Sequence, residues 1–244
     1  MLPHVHPIPP DYRDTVIAKA KARFPTLKEA KEYTGHKTGL GNTKKMPGLS
    51  TALSAFDCIT GALLRKVKGT VCSYCYAFGG NYQYPDVKAA HARRTKALTH
   101  PDWVLGMVRL IDHYVKPEDP YFRWHDSGDV QSFEHLVNIV AVADATPGVN
   151  HWIPTKEYAW LMRYLREVGP FPSNLAVRPS APKVGSSPPK SLTRRGLLTS
   201  TVDWSDSPDK CPATHQHYET NGECGDCRKC WDLKVPNVDY MKHR

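Results

Sequence analysis

Cysteine is absent from a 135-residue stretch of this 244-residue chain, and long apolar runs are absent from all of it. No segment approaches the ~20 consecutive apolar residues that a spanning helix needs, so no membrane span is expected. Residues 1–12 are Pro-rich and carry neither an apolar leader core nor a transit-peptide pattern, which predicts a cytoplasmic protein. Acidic residues are in deficit, 24 Asp and Glu against 33 Lys and Arg, for a net charge of +9. That imbalance suits DNA, RNA or a nucleotide as partner or substrate. Disorder is excluded by composition, with 40% hydrophobic and 10% aromatic residues.

The cysteines that are present number seven and fall in two groups. Cys58, Cys72 and Cys75 form the first, and Cys211, Cys224, Cys227 and Cys230 the second. An odd count excludes full disulfide pairing within one chain. In a reducing compartment, thiols at two-residue spacing point to metal or redox chemistry. Four thiols with two successive two-residue gaps suit a closed tetrahedral Zn²⁺ site or a fully ligated [4Fe–4S] cluster. Three thiols suit a [4Fe–4S] cluster with one iron left open.

The pattern between the two groups alternates. Helical periodicity over 14–34 is interrupted at Pro25, and residues 35–47 read as a basic loop. Asp86 is placed to cap a helix through Leu98, and another helix starts near Pro101. Strands are expected at 121–125, 149–154, 174–178 and 196–202, with helices at 132–145 (capped by Ser132) and 157–168, and an irregular loop at 179–195. This alternation predicts an α/β fold, a partial or complete (βα) barrel of mostly parallel strands. A helical, basic arm (1–48) would precede the barrel-like core (49–205), and a cysteine-rich metal-binding segment (206–244) would follow it.

In parallel α/β folds, chemistry gathers at the carboxyl ends of strands. Those ends hold His125, Asp126, Ser127, Gly128 and Asp129, then Lys156, Arg178 and finally Asp203. His125, Asp126, Asp129, Lys156 and Asp203 are the catalytic candidates.

Cys72-Ser73-Tyr74-Cys75 resembles the end of the cysteine loop of radical S-adenosylmethionine enzymes, in which an aromatic residue before the last cysteine lies against adenine. The Ser127-Gly128-Asp129 turn is similar to the Gly-rich acidic turn that contacts the methionine amino group in those enzymes. The resemblance implies a reducible [4Fe–4S] cluster on Cys58, Cys72 and Cys75. It implies S-adenosylmethionine held by Tyr74, Ser127, Gly128, Asp129 and Arg178, and an auxiliary centre on the distal four cysteines. Thirteen residues separate Cys58 from Cys72, where those enzymes usually have three between their first two cysteines.

A second resemblance is to tRNA-guanine transglycosylases, through Asp126-Ser127-Gly128-x-x-Gln131. It implies base recognition by Asp126, a nucleophilic Asp203 or Asp206, and zinc on the distal cysteines. A non-enzymatic zinc protein that binds nucleic acid or a host protein is the third reading. Nearly the whole chain also resembles a family found in bacteriophage genomes, through Met46–Ser50, Cys72–Ala77, Arg123–Asp129 and Cys224–Trp231. That resemblance implies a phage or prophage origin, and with it the cytoplasm of an infected host cell.

Overall fold

The computed structural model describes residues 10–242. Most of the Pro-rich arm expected over 1–12 lies outside them. The interrupted N-terminal helix is two helices, α1 (Pro10–Arg23) and α2 (Leu27–Thr34). Thr26 caps α2 through a reciprocal pair of bonds with Glu29, and Gly35 closes it in a left-handed conformation.

Four parallel strands follow in spatial order: β1 (Leu49–Thr51), β2 (Tyr121–Trp124), β3 (Asn150–Thr155) and β4 (Leu175–Pro179). The connections run through α3 (Ile59–Arg65), α4 (Pro85–Ala97), α5 (Trp103–Tyr114), α6 (Phe133–Ala145) and α7 (Tyr158–Glu167). After the short helix α8 (Lys190–Thr193), β5 (Thr199–Val202) and β6 (Asn237–Tyr240) form a separate parallel pair, joined to the end of β4 by a Ser180–Ser200 bridge. The fold is α/β with parallel strands, as expected, but no closed barrel is formed among the described residues.

Both faces of the sheet are covered, which is why every residue of β4 is buried. Phe122, Trp124, Ile153, Leu175 and Val177 face α5, α6 and α7. Trp152 and Ala176 face Cys211, Cys230, Trp231 and Val238, so the C-terminal segment fills the opposite face. The Trp231 indole N–H donates across this layer to the Phe122 carbonyl (3.1 Å).

Several boundaries differ from the sequence reading for local reasons. Asp86 lies in the first turn of α4 and not at its cap, because Pro85 occupies the first helical position and Tyr84 the cap. Ser132 does cap α6, accepting the His135 N–H. The expected loop 179–195 contains α8, and β1 and β6 carry no readable strand pattern. Among the described residues no helix is long and apolar enough to cross a membrane.

Candidate functional site

All seven cysteines are free thiols. The first three converge at the carboxyl ends of the strands. Cys58 caps the start of α3, whose single exit turn leads back through 3-10 turns to Cys72 and Cys75. A methyl group on Gly61 would stand 3.6 Å from the Cys58 sulfur and 3.7 Å from the Cys72 sulfur, so the two thiols flank one small gap. The thirteen intervening residues are therefore taken up by α3 and the turn after it, which brings the chain back to Cys72.

Other segments hold this loop in place. Glu157, at the end of β3, accepts the Thr60 backbone N–H (2.9 Å) and hydroxyl (2.8 Å) with separate oxygens, clamping the first turn of α3. Val71 N–H donates to the Pro182 carbonyl and Val184 N–H to the Gly69 carbonyl, fixing the other end beyond β4. Glu157 was not among the candidates. Its only sequence signal is its place beside Lys156 at a strand end, where it reads as an ordinary helix start.

Beneath the thiols lie Asp129 and Lys156. Asp129 accepts the Val130 N–H (2.7 Å) with one oxygen and the Lys156 N–H (2.8 Å) with the other. Burial raises its pKa to about 6, against the hydrogen bonds from Thr155, Lys156 and Val130 that pull it down. The Lys156 ammonium donates to the Ser180 (3.3 Å) and Ala181 (3.1 Å) carbonyls. Burial lowers its pKa, while the neighbouring Cys72, Asp129, Cys75 and Cys58 hold it up. Burial raises all three thiols, and Lys156 counters this at Cys72 and Cys75. The arrangement gathers three thiols, one cation and two carboxyl groups within electrostatic reach of one another.

Asp129 sets a pH dependence. Its folded-state value lies above the ordinary 3.8, so between about pH 4 and 6 the folded chain holds more protons than the unfolded one. The free energy of unfolding of the metal-free protein is expected to fall across that window by roughly 2–3 kcal/mol at most. Urea titrations at several pH values check this, and Asp129→Asn should flatten the curve.

The remaining candidates lie around this cluster in different settings. The Ser127 hydroxyl donates to the Leu53 carbonyl (2.7 Å) and the Leu53 N–H returns to the Ser127 carbonyl (2.9 Å), so this turn is stitched to the segment after β1. Gly128, at φ 81°, lies so close to Leu53 that a Cβ would come within 2.7 Å of the Leu53 Cβ. Ser127 and Gly128 thus position Asp129, with the serine hydroxyl committed to the backbone. His125 is buried beside His135 and pushed well below its ordinary pKa by burial, leaving a neutral imidazole away from the thiols.

Asp126 accepts the Ser50 hydroxyl with one oxygen (3.1 Å), and its other oxygen is buried without a hydrogen-bond partner. Tyr74, adjacent to Cys75 in the chain, is exposed, with Lys242 over its ring at 4.7 Å. Asp203 is exposed at the end of β5, accepting the Lys242 N–H (3.1 Å), and Asp206 is exposed beyond it.

Arg178 is a correction to the expected cofactor role. It is fully buried, and its guanidinium donates to the carbonyls of Cys230 (2.8 Å), Thr199 (3.2 Å), Val235 (3.0 Å), Lys229 (2.9 Å) and Asp232 (2.7 Å). Those bonds use all five donors of the side chain, so it fastens the C-terminal segment to β4 and has none left for a ligand.

The distal cysteines Cys211, Cys224, Cys227 and Cys230 line one pocket with Pro212, Ala213, Lys229, Trp231 and Val238. Burial, with the other thiols adding to it, raises Cys224 to about 11 and Cys230 to about 12. The Cys230 sulfur contacts the Tyr240 hydroxyl at 3.1 Å. Four soft donors around a shared pocket have the chemistry a thiophilic metal requires. As they stand, no group of three or more His, Cys, Asp or Glu side chains among the described residues is set to hold a metal ion.

A family model described as Gene product 88 matches residues 25–233. Neither a curated protein nor a solved structure matches the chain, so the likenesses to radical S-adenosylmethionine enzymes and transglycosylases rest on motifs alone.

Proposed function

The chain belongs to the Gene product 88 family, the bacteriophage-type family to which its motifs pointed, and from that premise we propose an iron–sulfur enzyme of the radical S-adenosylmethionine kind. Cys58, Cys72 and Cys75 would hold a [4Fe–4S] cluster with one iron left open. The observation that carries this reading is the gathering of three free thiols over Asp129 and Lys156 at the carboxyl ends of parallel strands. A bound cluster would supply a single electron to S-adenosylmethionine. The chain's own residues do the rest. Glu157 and Gly61 shape the thiol loop, Lys156 offsets the negative charge that sulfur ligands bring, and Asp129 holds or releases a proton near neutral pH. Tyr74 offers an exposed ring for adenine. The distal four cysteines would take zinc or a second cluster.

Anaerobic purification with iron, sulfide and zinc analysis tests the reading. Bound iron and sulfide should drop by about four atoms each per chain in Cys75→Ala. A colourless chain containing only zinc would sink the iron–sulfur proposal and favour a zinc protein. Base exchange is the second reading, favoured by the place of the Asp126-Ser127-Gly128 turn just beyond the carboxyl end of β2, where such a turn would recognise a base once the side chains that cover Asp126 move aside. It requires a covalent nucleic-acid adduct that disappears in Asp203→Asn or Asp206→Asn.

A further inference from the structure

Seven of the eight exposed large hydrophobic side chains among the described residues lie between positions 56 and 84, on the segment that carries the proximal cysteines. Phe56 is 53% exposed, Leu63 65%, Val67 51% and Tyr84 60%. The same segment is aromatic and short of acid. Residues 54–84 include six aromatic rings and three cations, Arg65, Lys66 and Lys68, with Asp57 as the single carboxylate. The cations lie among the rings. Arg65 is 3.5 Å from the Phe78 ring centroid, Lys88 is 6.0 Å from Phe56, and Lys242 covers Tyr74.

The geometry points to a binding surface for single-stranded nucleic acid beside the proximal thiols, with bases on Phe56 and Tyr84 and phosphates on Arg65, Lys66, Lys68 and Lys88. Exposed rings interleaved with cations are how proteins hold unpaired strands, because each base offers a face for stacking and each phosphate a charge. A duplex hides those faces. A protein partner fits less well, since the centres of protein interfaces are depleted in lysine, whereas here lysines alternate with apolar groups at Leu63-Leu64-Arg65-Lys66-Val67-Lys68. A second copy of the chain would set these cations against one another. The patch flanks the proximal cysteines, with Phe56 two residues from Cys58 and Arg65 within electrostatic reach of Cys75, so a strand lying on it would present a nucleotide to the thiol centre. This deepens the proposed function by naming its substrate class, and rests on that reading only in calling the strand a substrate.

The test uses the metal-free full-length chain and fluorescein-labelled 12-nucleotide mixed-sequence probes, one DNA, one RNA and one duplex, read by fluorescence anisotropy. The single strands should bind at least about tenfold more tightly than the duplex, and the DNA and RNA arms show which strand is preferred. Phe56→Ala and Tyr84→Ala should each weaken binding roughly 5- to 150-fold, with helix content unchanged by circular dichroism. Removing both charges in Lys66→Ala/Lys68→Ala should reduce the slope of log affinity against log salt by about 1.4. Equal binding of strand and duplex, or affinity unmoved by both aromatic substitutions, would overturn the proposal. So would self-association abolished by Leu63→Glu in a chain that binds no strand, which would assign the patch to a protein contact. Because no metal is needed, failure here leaves the iron–sulfur reading standing, and absence of iron leaves strand binding standing.

Discussion

Replacing Arg178 with methionine is expected to lower the free energy of unfolding by ~3–5 kcal/mol, as breaking a buried charged network does. Methionine fills much of the same volume and donates nothing. It would leave the carbonyls of Thr199, Lys229, Cys230, Asp232 and Val235 without the donor they share. An orphaned buried acceptor costs ~1–3 kcal/mol, and partial relaxation keeps the total below a simple sum. Arg178→Lys should not rescue the loss, because one ammonium has three donors and cannot span five carbonyls in a plane. Since domains are commonly stable by only ~5–15 kcal/mol, urea denaturation should show a large drop in midpoint for both variants. A midpoint within experimental error of the unsubstituted chain would refute the role assigned to this residue.

Gly48→Ala should be comparably severe, at roughly 3–5 kcal/mol. Gly48 sits at φ 69°, just before β1, and its N–H donates to the Asp119 carboxylate at 2.6 Å. An added Cβ would penetrate the Tyr121 carbonyl oxygen and stand 2.5 Å from the carbonyl carbon. Left-handed strain and overpacking each cost ~1–3 kcal/mol, and here the obstacle is backbone at the start of β2. The substitution would push β1 off β2 and loosen the segment that leads to Cys58. Thiol alkylation under native conditions would reveal this as faster labelling of Cys58 alongside a lowered urea midpoint. Unchanged labelling and stability would show that β1 tolerates the displacement.

These two residues mark where the sequence was readable and where it was not. The break at Pro25, the Ser132 cap and the four strands from β2 to β5 follow from local rules, and all were expected to within a few residues. β1 is three residues long and wedged between Gly48 and a loop, too short for any periodicity. β6 buries Asn237 and Asp239, which bond to Thr199, Thr201 and Ser207, so a strand in the interior looks polar on paper. In the site, thiols and acids at strand ends were legible from spacing and alternation. The clamp from Glu157 to Thr60 and the five carbonyls around Arg178 join positions 97 and 21–57 residues apart, which no local pattern encodes.

The attachment of Arg178 to residues 229–235 also has a consequence for biosynthesis. As the chain emerges from the ribosome, β1 to β4 can pair and cover one face with helices. The opposite face, with Trp152 and Ala176, stays bare until Cys230, Trp231 and Val238 have been made. The nascent sheet would carry a buried-type arginine and an apolar surface with nothing yet to meet them, the exposure that makes incomplete chains prone to aggregate. Completion of the fold therefore waits on the late arrival of the distal cysteine segment, and any factor that shields that surface during synthesis would act before this point and not after it.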